Sequence, residues 1–152
     1  MPKIDISALP LRNGSIYPDP YAKIVEGRSS HRLGDAGGLT QFGANLVYLE
    51  PGAKSSMRHW HEKEDEFVMV TEGNLTLIDD AGETPLSPGD CAAFPAGDPN
   101  GHHIVNQTET RGAFLVIGTR AESETAHYSD VDMTVRVANG AFSFTKRDGS
   151  PI

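Results

Sequence analysis

The sequence predicts a single all-β domain, a small barrel or sandwich preceded by an extended N-terminal arm. Three observations predict it. Sixteen glycines and ten prolines cut the 152 residues into short stretches, and those stretches are rich in β-branched and aromatic residues. No window keeps its apolar residues on a 3.6-residue period, so helix is confined to a turn or two. The length suits one compact core that needs no staple to hold it.

Taken in order, residues 1–40 carry Pro10, Pro18 and Pro20 among polar residues and read as an arm packed on the barrel or on a partner subunit. Within the arm a strand is expected at 22–26 and a helical turn near 29–35. The barrel core occupies 41–122, with strands expected at 41–49, 66–71, 74–79, 91–94, 103–106 and 113–119. Glu72-Gly73-Asn74 separates two of these runs as a tight hairpin would, and the stretch Asp79 to Glu83 does so again, which implies a meander. Pro88-Gly89-Asp90 introduces the next strand, and the run from Pro95 to Gly101 is a loop that cannot be regular structure. Residues 123–152 complete the same domain with weaker strands at 133–137 and 141–145.

Composition excludes several functions. The formal charge is −8 and the thirteen Lys and Arg are scattered, so no basic stripe exists to neutralise consecutive phosphates of a nucleic acid. No apolar run approaches the length of a membrane span, and the start of the chain lacks a signal-peptide pattern, so a cytoplasmic location is expected. The single Cys91 cannot form an internal disulfide and reads as a small buried hydrophobe rather than a nucleophile, since no basic or histidine partner adjoins it.

Four of the six histidines fall in two tight clusters. In His59-Trp60-His61, residues two apart on a strand point to one face, so both imidazoles can converge while Trp60 faces the other way. Glu66 opens the run Phe67-Val68-Met69-Val70, and its strand parity aims the carboxylate where Val68 and Val70 point, into the interior. A carboxylate there is costly unless a cation or hydrogen bonds compensate it. Within the acidic run Glu62, Glu64, Asp65 and Glu66, parity favours Glu66, with Glu64 next. In His102-His103-Ile104-Val105-Asn106, His102 shares a face with Ile104 and Asn106. His103 takes the opposite one and is given at most a supporting role. Three neutral imidazoles and a carboxylate suit one divalent transition metal ion, iron, manganese, nickel, cobalt or zinc, rather than calcium or magnesium.

These motifs carry a resemblance. Pro51-Gly52 followed by His59-x-His61, Glu66 and Gly73 resembles the first motif of the cupin superfamily. Gly89, Pro95, Gly97, His102 and Asn106 resemble the second, with slightly longer loops ahead of His59 and His102 than the family pattern. The words around Gly38-Leu39-Thr40, Asp65-Glu66-Phe67 and Ala126-His127-Tyr128 are similar to those of small single-domain bacterial cupins. The resemblance implies a jelly-roll, double-stranded β-barrel with a metal held by His59, His61, Glu66 and His102. Asn106 is expected to be structural, and His31 and His127 to lie at the surface outside the site.

Four protein ligands leave coordination positions open to water, dioxygen or a substrate oxygen. The leading expectation is therefore a metal-dependent enzyme acting on a small oxygen-rich molecule, of the dioxygenase, decarboxylase, isomerase or lyase type. The alternative is a non-catalytic barrel that binds or senses a small molecule. The long arm also suits a homodimer.

Overall fold

In the computed structural model, which describes residues 2–152, two walls of antiparallel strands face one another. The strands are β1 (Arg12–Asn13), β2 (Arg28–Arg32), β3 (Phe42–Leu49), β4 (His59–His61), β5 (Glu66–Glu72), β6 (Leu75–Asp79), β7 (Gly82–Leu86), β8 (Cys91–Phe94), β9 (His103–Val105), β10 (Gly112–Thr119), β11 (Ser123–Tyr128), β12 (Thr134–Ala138) and β13 (Ala141–Thr145). One wall is a six-stranded sheet in the order β1-β2-β3-β10-β5-β8. The other comprises a four-stranded sheet, β13-β12-β11-β4, and a three-stranded sheet, β7-β6-β9. An isolated antiparallel bridge between His59 and His102 joins those two smaller sheets. This is a jelly-roll barrel.

Alternation builds the interior. Val47 and Leu49 on β3 and Val68 and Val70 on β5 point inward and are buried, and they pack with Leu75, Ile104 and Phe114 in one core. A second cluster, Met57, Ala126, Tyr128, Met133 and Val135, fills the end under the four-stranded sheet. At roughly 25 cal/mol for each Å² of apolar surface removed from water, each of the buried Val, Leu, Ile, Phe and Met side chains among these contributes about 1.5–3 kcal/mol. The tight turn between β5 and β6 depends on Gly73, which adopts φ +67°, and a Cβ there would sit 2.8 Å from the Arg111 carbonyl oxygen.

The structure corrects three expectations. The strand expected at 22–26 is instead a 3-10 turn, Tyr21–Val25. Val25 is buried, and Tyr21 packs against the second core cluster. Over 29–35 the helical turn is confined to α1 (Leu33–Ala36), and the residues before it form β2, paired with β3. Its sequence, Arg-Ser-Ser-His-Arg, lacks β-formers, and the strand is held by its ladder and by the buried Ser30. Cys91 is exposed, because β8 is the edge of its sheet. Besides β2, the short β1 and the strands β7 and β11 lie outside the expected set. In β7, Pro85 is accommodated at a sheet edge, and β11 alternates Glu124, Ala126 and Tyr128 inward against polar neighbours.

Candidate metal centre

The four candidate residues come together inside the barrel. His59 and His61 leave β4 on one face, and Glu66 opens β5 across the interior from them. One candidate ligand atom from each of these three lies within 4.8 Å of the others. His102 completes the group: its Nε2 stands 3.0 Å from Glu66 Oε1, and its ring centroid is 5.1 Å from that of His59. His61 Nε2 lies 3.7 Å from Glu66 Oε2.

Each ring is oriented by its surroundings. His59 Nδ1 donates to the Met57 carbonyl at 2.9 Å, which fixes the tautomer and leaves its Nε2 lone pair free. His102 is buried and stacks face to face on Phe94, with ring centroids 3.4 Å apart and planes 2° from parallel. The bridge to His59 fixes the backbone from which His102 springs, and Gly101 permits that close approach, since a Cβ there would overlap Ser129 Oγ. His61 Nδ1 and His102 Nδ1 are buried without a hydrogen-bond partner among the described residues.

The electrostatics match the geometry. Burial lowers the pKa of His59 to about 4 against the pull of Glu66, so the ring is neutral near pH 7. Burial would raise Glu66, but the hydrogen bonds of His102 and His61 outweigh it and hold the carboxyl well below the usual range. Burial would lower His61, but Glu66 and Glu64 raise it. Neutral imidazole beside an ionised carboxylate is the donor set a divalent transition ion requires. Two atoms each about 2.1 Å from one ion stand no more than about 4.2 Å apart, so the trio of His59, His61 and Glu66 needs to contract only slightly to hold one.

Around this centre the structure adds a residue beyond those the motifs point to. Glu124 on β11 is buried, and its carboxylate accepts from the backbone N–H groups of Glu62, Lys63 and Thr125. It fixes the loop that carries the chain from His61 to Glu66. The alternation of β11 is the signal that places it inside, once that strand is recognised. Glu64 lies beside the centre, its Oε2 4.0 Å from His61 Nδ1, and its Oε1 accepts from the Ala121 N–H. Burial raises its carboxyl.

His103 turns away and its Nδ1 donates to the Ser56 carbonyl at 2.8 Å. Asn106 is structural, with Nδ2 donating to the carbonyls of Leu49 and Thr110. His127 stacks on Trp60 at 4.4 Å and meets Glu62 at 2.7 Å on the outer side. His31 is also away from the centre, its Nδ1 3.2 Å from the Pro10 carbonyl. A hollow of about 450 Å³, walled chiefly by Phe42, Phe67, Phe94, Pro95 and Ile117, touches Glu66 from the outer side of the six-stranded sheet.

A family model described as a cupin domain matches residues 45–118. Among solved structures, a sugar phosphate isomerase from a cupin superfamily, from Silicibacter pomeroyi, is 62% identical, with a TM-score of 0.98 over 99% of this chain and 96% of that one. A protein from Acidithiobacillus ferrooxidans, provisionally named a sugar phosphate isomerase, is 31% identical, with a TM-score of 0.75 over 82% of this chain and 80% of that one. The polyketide cyclase RemF from Streptomyces resistomycificus, at 23% identity and TM-score 0.61 over 78% of this chain and 79% of that one, shares the fold. No curated protein matches.

Proposed function

Because the chain belongs to the cupin superfamily, we propose that it is a metal-dependent enzyme acting on a small oxygen-rich molecule, with His59, His61, Glu66 and His102 as ligands. The observation that carries this reading is the meeting of three imidazoles and one ionised carboxylate inside the barrel, with the His59 tautomer already fixed. Among the reactions open to such a site, isomerisation of a sugar phosphate has the strongest support, from the relative at 62% identity.

A divalent ion bound there would polarise a carbonyl or hydroxyl oxygen of the substrate. The chain's own residues supply the rest. Met57 and Glu124 hold the ligand-bearing segments rigid, and Phe94 covers His102 and keeps water from it.

The same reading includes a homodimer in the cytoplasm, a reducing compartment that suits the free, exposed Cys91. Leu46, Met69, Leu115 and Ile117 point to the outer face of the six-stranded sheet, opposite in parity to the core residues, with Phe67 exposed among them. A second copy would cover that face.

The test is elemental analysis of the purified protein, followed by solvent-deuterium incorporation into a panel of sugar phosphates read by proton NMR. One ion per chain, and exchange that stops on chelation and returns on reloading, are expected. A full complement of metal with binding but no turnover would leave a binding barrel, and absence of metal from protein loaded under anaerobic conditions would remove the reading altogether.

A further inference from the structure

Among the described residues, Arg28 is the one half-buried arginine that the fold leaves without a partner. Arg58 is gripped by Asp130 and Asp80, Arg111 by Glu72, Arg120 and Arg32 by Asp35, and Arg147 by the carbonyls of Tyr128, Ser129 and Val131. Arg28 stands opposite Leu49 in the β2–β3 ladder and therefore shares the inward face of a fully buried residue. Its Nε is buried with no hydrogen-bond partner, and no carboxylate among the described residues lies within ion-pairing distance. In a chain of net charge −8, with 21 Asp and Glu available, the buried Nε–H has lost its hydration and receives no acceptor in return.

Tyr17, in whose field Arg28 lies, leads towards the candidate centre through aromatic rings. Tyr17 accepts from the Met57 N–H at 3.3 Å, and Met57 is the residue whose carbonyl orients His59. Tyr17 meets Tyr128 edge-on at 5.6 Å, and Tyr128 stands 6.1 Å from the His59 ring. The Tyr17 phenol also lies in the field of both Arg28 and Glu66, although burial chiefly sets its raised pKa. Burial likewise lowers Arg28.

We infer that Arg28, inward-facing and unpaired at Nε, receives an oxyanion, the phosphate or carboxylate of the small substrate. The assignment of a substrate rests on the proposed function, whereas the oxyanion site itself does not. Guanidinium suits the task, since its planar fork pairs with two oxygens at once and its charge survives burial. The inference makes the substrate anionic and makes Arg28 the residue that separates it from a neutral polyol.

The experiment uses the full chain, treated with chelator so that an anion cannot act through a metal, and follows thermal unfolding with inorganic phosphate, acetate, or chloride at matched ionic strength. Wild type is expected to gain about 3 °C at saturating oxyanion and nothing with chloride. Preference for phosphate over acetate would assign a phosphoryl group, and the reverse a carboxylate. In Arg28→Met the gain disappears, the melting temperature without anion equals or exceeds that of wild type because the unpaired charge is gone, and metal content on reloading is unchanged. Arg28→Gln is expected to lose the gain in the same way and serves if Arg28→Met does not fold. An undiminished gain in these variants, or none in wild type with either oxyanion, overturns the inference. Failure of the metal reading shows separately, as wild type that takes up no ion while its oxyanion response persists.

Discussion

Glu66 opens a strand on a face it shares with Val68 and Val70, and its ionised state there depends on imidazoles supplied from two other segments. Removing one donor therefore acts on binding more than on folding. His59→Ala and Glu66→Gln are expected to lower bound metal at least tenfold, with circular dichroism unchanged, because the packed cores hold the barrel. Elemental analysis and far-ultraviolet spectra check both halves of the statement. Glu124 acts differently. Its buried carboxylate satisfies three backbone donors, so Glu124→Ala is expected to cost about 2–3 kcal/mol in urea unfolding and to loosen the His61 to Glu66 loop. A loss below about 0.5 kcal/mol would show that the loop is held by other means.

At the scale of elements, Gly101 and its neighbours set where His102 stands. Gly101→Ala forces its new methyl into Ser129 and is expected to cost about 1–3 kcal/mol, with weaker metal retention. In the double variant Gly101→Ala, Ser129→Gly much of that loss should return, as melting curves would reveal. The same scale explains what the sequence disclosed. His59, His61, Glu66 and His102 were legible because strand parity is strict: two residues on means the same face. The cores of β3, β5 and β10 were legible for the same reason. Strand β2 was not, since Arg28–Arg32 has no β-forming residue and owes its conformation to the ladder with β3, a long-range pairing that no local pattern announces. Cys91 was misplaced because burial on a strand depends on whether a neighbour covers it, and β8 has a neighbour on one side only.

For the whole molecule, the centre ties stability to acidity. The pKa of His59 falls from an ordinary 6.5 to about 4 on folding, so between those values the unfolded chain binds a proton that the folded chain refuses. Stability of the metal-free protein should therefore fall as pH drops from 6.5 towards 4, and His61, raised by its carboxylates, makes the slope shallower. Urea unfolding across that interval tests this, and His59→Phe should flatten the fall. Assembly is testable on the same preparations. Leu115→Asp places a charge on the outer sheet face and is expected to halve the mass found by light scattering. A wild-type mass of one chain would contradict the dimer.

The bridge between His59 and His102 carries two backbone hydrogen bonds, of 3.2 and 3.0 Å, across the join of the two smaller sheets. A clasp of that kind is weak by itself, with one rung on each side and ladders ending nearby. Drawing both imidazoles onto a common ion would fasten it, so an inorganic guest would become a rivet through the barrel wall. The amides of His59 and His102 should then surrender deuterium protection together when the guest is withdrawn, while those of Val47 and Val70 keep theirs.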